Sequence, residues 1–136
     1  MKLGFTNNPA DLDAGRAFRD AAVTDGWTIA PLYITEAMDR AARLTRDGFV
    51  LQVITRDMTG HFKWKAEADV SIWGPDGLCI EVPADYDWGA ITAGLRTCHN
   101  CHKTDVDTER YSFAGRCCAD CRPAMAAKHE RPGWCD

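Results

Sequence analysis

FKWKAEADVSIW, residues 62–73, alternates apolar and polar side chains along its length. Trp64, Ala66, Ala68, Val70 and Ile72 fall on one side; Lys63, Lys65, Glu67, Asp69 and Ser71 fall on the other. A period of two marks a β-strand with one buried and one wetted face. The small alanines leave room for a helix to lie close on the buried side. Downstream, Gly74-Pro75-Asp76-Gly77 is a turn signal, and Leu78, Ile80 and Val82 make a return strand. A five-residue loop, 73–77, pairs Ile72 with Leu78 and Val70 with Ile80, which keeps both apolar faces together. Upstream, Phe49 to Thr55 is almost continuously apolar, as expected of a strand covered on both faces. These three strands predict a small antiparallel sheet, a three-stranded meander.

The flanks read as helices and edge pieces. Leu3 to Thr6 is extended. Asn8-Pro9 opens a helix with Leu12, Phe18, Ala21 and Ala22 inward, and Gly26 ends it. Trp27 to Ile34 contains Pro31 and is an edge strand or loop. Thr35 caps a second helix, 36–47, with Met38, Ala41, Ala42 and Leu44 inward and Gly48 as its stop. Asp85 or Asp87 caps a third, carrying Trp88, Ile91 and Leu95. The fold class is α+β, with helices on one face of the sheet and a metal-binding module after it. Residues 1–95 form the α+β domain, and residues 96–136 form the module packed against it.

The chain has 136 residues, 46% of them apolar and 26% charged, which is globular composition. No run approaches the roughly 20 apolar residues of a membrane helix, and the first residues lack the apolar core of a signal peptide. The expectation is a cytoplasmic protein with no membrane partner. A net charge of −4 excludes nucleic-acid binding driven by overall charge, and is too small for a mimic of DNA.

Six of the seven cysteines lie in the last 39 residues. The count is odd and no secretory signal is present, so a disulfide framework is not expected. Cys98-His-Asn-Cys101 and Cys118-Ala-Asp-Cys121 are two C-x-x-C pairs separated by 16 residues. Thiolates three positions apart share one side of a tight turn, and two such pairs complete a tetrahedral four-sulfur shell. A closed shell leaves no position for water, so it implies a structural Zn2+ ion. Cys117 is an alternative to Cys118, and His99, His102 or His129 to one of the thiolates. Cys79 reads as a strand residue and Cys135 as a free thiol.

Thr97 to Pro132 resembles a treble-clef zinc finger, with spacing similar to GATA-type fingers and to the bacterial DksA/TraR type. The Cys-x-Asn-Cys and Cys-Ala-Asp-Cys pairs are also GATA-like. The resemblance implies a knuckle at 98–101 and a hairpin from Val106–Tyr111 and Ser112–Cys117. A helix would then run from Cys118 to about His129. His102 stands where that knuckle carries glycine, and no basic tail follows the helix.

Other chemistry is sparse. Asp69 and Glu81 would face each other across the hairpin, which could make them a carboxylate pair, but lysines on the same face suit a solvated charge ladder better. His61 reads as a solvated turn histidine. Trp73 and Trp134 are candidate partner-binding residues, because exposed tryptophan is enriched at interface hot spots. Arg40, Arg43 and Arg46 recur every three residues, form a basic stripe on helix 36–47 and are further candidate partner-binding residues, for a phosphate or an acidic partner. Arg116, Arg122 and Lys128 are candidate nucleic-acid contacts on the finger. No catalytic set emerges. The expected function is a small zinc-stabilised adaptor or inhibitor that binds another protein, such as a phage or bacterial accessory protein blocking a host machine or defence system. The alternative is a nucleic-acid-binding regulator using the finger and the stripe.

Overall fold

The computed structural model of the protein describes residues 3–111 and 115–123. The elements are β1 (Gly4–Thr6), α1 (Ala10–Thr24), β2 (Thr28–Pro31), β3 (Ala41–Arg46), β4 (Phe49–Asp57), β5 (Ala66–Trp73), β6 (Cys79–Ile80), α2 (Trp88–Ala93), β7 (Thr108–Arg110) and β8 (Arg116–Cys118). The chain divides into two compact units after Asp87, so α2 belongs with the cysteine-rich part. No described helix is long and apolar enough to cross a membrane.

The first unit is a mixed helix-and-sheet structure. Its sheet has six strands rather than three, in the order β1-β5-β4-β3-β2, with β6 also on β5. Every pairing is antiparallel. β1 pairs with residues 66–68 of β5 and β6 with residues 72–73, end to end along the edge that β4 leaves open. The alternation in β5 is realised: Ala66, Ala68, Val70 and Ile72 are buried.

α1 covers this buried face with Leu12, Gly15, Phe18 and Ala22 inward; Ala21 faces out. Leu12 packs on Ala66 and Ala68, so the alanines do admit the helix. The approach is tightest at Gly15, where a Cβ would lie 2.7 Å from Thr55 Cγ2. Asn8 Oδ1 accepts the Ala10 N–H at the helix start.

Two further expectations fail, both through pairing. The predicted helix 36–47 is instead a turn-rich segment followed by β3. Ala41 to Arg46 has good helix formers, but β2 and β4 pair with it on both edges, and tertiary pairing outweighs a weak propensity. The missed signal is Asp47-Gly48. Both residues have positive φ (49° and 83°), and Arg46 pairs with Phe49 across them. That is a two-residue hairpin turn of the kind Asp-Gly favours, not a helix stop.

The second failure is the register after β5. Ile72 pairs with Ile80 and Trp73 with Cys79, two residues away from the expected register. The Gly74 N–H donates to the Leu78 carbonyl, and Asp76 Oδ1 accepts the Leu78 N–H. The loop is therefore three residues, 75–77. Asp69 then pairs with Ile54 and takes the Ser71 hydroxyl, Glu81 follows the strand exposed, and the carboxylate pair does not form.

Candidate metal centre

The second unit builds its site from two turns and a hairpin. α2 runs through a 3-10 turn, Gly94–Arg96, into extended Thr97. The chain then folds back tightly. The Cys98 N–H donates to the Lys103 carbonyl at 2.9 Å, and the His102 N–H to the Cys98 carbonyl at 2.9 Å. His102 closes this turn with φ of 61°, a left-handed conformation that glycine adopts more readily. Arg96 holds the next loop by ion pairs to Asp105 and Asp107. β7 and β8 pair Thr108 with Cys118 and Arg110 with Arg116. Past β8, the Cys121 N–H bonds the Cys118 carbonyl at 3.1 Å, forming the second turn.

His99 joins the first turn to the hairpin. Its N–H donates to the Arg116 carbonyl at 2.8 Å, and its Nδ1 accepts the Arg116 N–H at 3.1 Å. The result brings Cys98, Cys101, Cys118 and Cys121 together, with all four sulfurs within 4.8 Å of one another. Cys101 Sγ and Cys118 Sγ are 3.7 Å apart, which matches the roughly 3.8 Å sulfur edge of a tetrahedron with 2.3 Å metal bonds. Cys98, Cys118 and Cys121 are buried and Cys101 is exposed.

The electrostatics call for a cation. Burial pushes the Cys98 thiol up, but the N–H groups of Cys101, Cys118 and Asn100 pull it down to about 6. Asn100 Nδ2 donates to Cys121 Sγ at 3.3 Å, which favours its thiolate, yet burial and the sulfurs of Cys118, Cys101 and Cys98 push Cys121 up to about 12. Four crowded sulfurs cannot all carry negative charge unless a positive ion sits among them. The donor set therefore suits a metal ion that prefers sulfur. Cys117 is buried but outside the set, because neighbours on a strand face opposite ways. Burial, then the neighbouring sulfurs of Cys98 and Cys118, raises its thiol. Among the described residues, no other group of three or more His, Cys, Asp or Glu gathers this closely.

The other candidate residues scatter. The arginine stripe does not exist, since its helix is a strand. Arg40 lies in the turn before β3, and Arg43 projects from the open face of β3. Arg46 turns the other way to pair with Asp25 at 2.8 Å. The structure does bring Arg43 together with Trp73, around an open depression that Val50, Gln52 and Pro75 also line. Arg116 is 1% exposed, with its guanidinium beside His99, so it offers no surface to a nucleic acid. Arg122 is half-buried and pairs with Glu109 at 3.6 Å. Trp134, Lys128, His129, Cys135 and most of the predicted finger helix lie outside the described residues. His61 Nδ1 accepts the N–H groups of Lys63 and Trp64, an ordinary turn role.

The sequence reading missed an apolar display at one end of the sheet. Ile34 and Phe62 are fully exposed, with Tyr33 and Met38 about half exposed. They sit on loops 32–40 and 58–65. Both loops reach the same end, since Thr55 bonds the carbonyls of Arg40 and Asp39 while Asp57 pairs with Ala66. Arg56 fastens the first of these loops to β5: it grips both oxygens of Glu36 and one of Glu67, beside the ring of Tyr33.

The chain matches no protein-family model, no curated protein and no solved structure.

Proposed function

We propose that this is a small zinc-stabilised adaptor or inhibitor that docks on another protein. The four-cysteine centre is read as a structural zinc site in a module of the treble-clef kind, with Cys98 and Cys101 from the knuckle and Cys118 and Cys121 from the second turn. Zinc fits a closed four-sulfur shell, and such a shell stabilises a fold rather than performing chemistry. The module has a small core, Val106 and Tyr111 against the cysteines, and metal binding supplies the rest of its stability.

The observation that carries the protein-binding reading is the pair Ile34 and Phe62. Leaving such side chains in water forgoes roughly 1.5–3 kcal/mol each relative to burial. Their loops are nevertheless held in shape by internal hydrogen bonds and by Arg56, so the display is prearranged. Large apolar side chains on a rigid frame are what a partner's pocket takes up. An affinity capture from host lysate, with nuclease present, tests the reading. A stoichiometric protein retained by the native chain and lost with Ile34→Ser/Phe62→Ser supports it. Nucleic acid retained instead, and released by salt, overturns it.

A further inference from the structure

Cys101 stands apart from its three companions. It is exposed where Cys98, Cys118 and Cys121 are buried, and its sulfur lies 3.7 Å from that of Cys118, in the other pair. A disulfide needs about 2.05 Å, so a shift of about 1.7 Å would join them.

We infer that Cys101 is a site of oxidative modification, at which hydrogen peroxide converts Cys101 and Cys118 to a disulfide and dismantles the centre. This rests on the zinc reading above. The Cys101 thiolate attacks the peroxide; the O–O bond breaks, leaving Cys101 sulfenic acid and one hydroxide. The Cys118 thiolate then attacks the Cys101 sulfur; the S–S bond forms, the S–O bond breaks and a second hydroxide leaves. Two thiolates have lost two electrons, and the peroxide has become two hydroxides, protonated to water. Two of four donors are consumed, which removes the shell. Cys117 stays out because it is buried and, next to Cys118 on the strand, faces the other way.

The test uses the full chain carrying Cys79→Ser and Cys135→Ser, loaded with zinc. Elemental analysis before oxidation checks for one zinc per chain. Hydrogen peroxide is then added, a chromogenic chelator follows released metal, and peptide mapping locates the linkage. The expected result is loss of the zinc in step with a Cys101–Cys118 disulfide. Dithiothreitol with added zinc should restore the centre. Zinc retained through the treatment, or a first linkage between Cys98 and Cys101 or to Cys117, overturns the inference alone. A chain that never holds zinc overturns the metal reading and this inference with it.

Discussion

His99 and Arg116 are bonded to each other twice through the backbone of Arg116: its carbonyl accepts the His99 N–H at 2.8 Å, and its N–H reaches His99 Nδ1 at 3.1 Å. The imidazole thereby acts as a bracket between the first cysteine turn and the strand that delivers Cys118. The bracket works because residue 115 has no side chain. A Cβ on Gly115 would lie 2.0 Å from His99 Nδ1, and its φ of 94° disfavours other residues as well. Gly115→Ala must displace the ring. We expect a cost of about 1–3 kcal/mol, read as zinc transfer to a chelator about tenfold faster or more. Unchanged transfer would show that the bracket does not position the sulfurs.

Removing a sulfur should act on one unit only. Cys98→Ser or Cys121→Ser is expected to abolish zinc retention and order in residues 88–111 and 115–123. Binding free energies of about 10–16 kcal/mol are typical of structural zinc in finger peptides. The first unit has its own core of Phe18, Leu44, Leu51, Val53 and Ile72. Hydrogen exchange should find the amides of β3, β4 and β5 still protected in these variants. Exchange of those amides at the unfolded rate would show that the sheet needs the metal.

The contact between Gly15 and Thr55 makes a double-mutant prediction. Alanine normally gains about 1 kcal/mol over glycine inside a helix. Here its Cβ would meet Thr55 Cγ2 at 2.7 Å, and Thr55 is fixed by its hydroxyl bond to the Asp39 carbonyl. Gly15→Ala should therefore destabilise the first unit, by about 1–3 kcal/mol as for overpacking. Thr55→Ser removes the methyl and keeps the hydroxyl, so the pair should recover much of the loss. Urea midpoints of the four proteins settle the sign.

Acid should weaken the first unit through carboxylates whose pKa falls on folding: Glu36, Asp25 and Asp57, the last held by the Thr59 hydroxyl. The Arg56 guanidinium, by hydrogen bond and charge, holds Glu36 below its ordinary range. The Tyr86 hydroxyl, followed by Arg46, does the same for Asp25. A carboxylate lowered on folding contributes stability that is complete above its unfolded pKa and lost as pH falls through the folded one. Melting temperature should be level at neutral pH and drop below the ordinary carboxylate range. Glu36→Gln should lower the neutral plateau and flatten that drop. A variant as pH-sensitive as the native chain would remove Glu36 from the account.

Much of this architecture was legible in the sequence where the governing interactions are local. The alternation of residues 66–73, the Asn8-Pro9 start of α1 and the edge character around Pro31 all report preferences of short segments. Residues 41–46 were misread because their helix propensity is local while the pairing that overrides it comes from β2 and β4. Asp47-Gly48 carried the correct signal and was outvoted. The register of β6 turned on one side-chain acceptor, Asp76, closing a shorter loop than the apolar pattern alone suggested.

The sequence by itself determined which cysteines could meet. Two thiolates three residues apart are brought to one side of a turn by the covalent chain, whatever surrounds them. Only the tertiary structure decided that Arg116 is buried beside His99, that Cys101 is the exposed cysteine of the four, and that Ile34 and Phe62 stand in water. Residue type predicts the opposite for Arg116, Ile34 and Phe62. Burial is a property of what the rest of the chain places nearby, and no short stretch of sequence encodes its own surroundings.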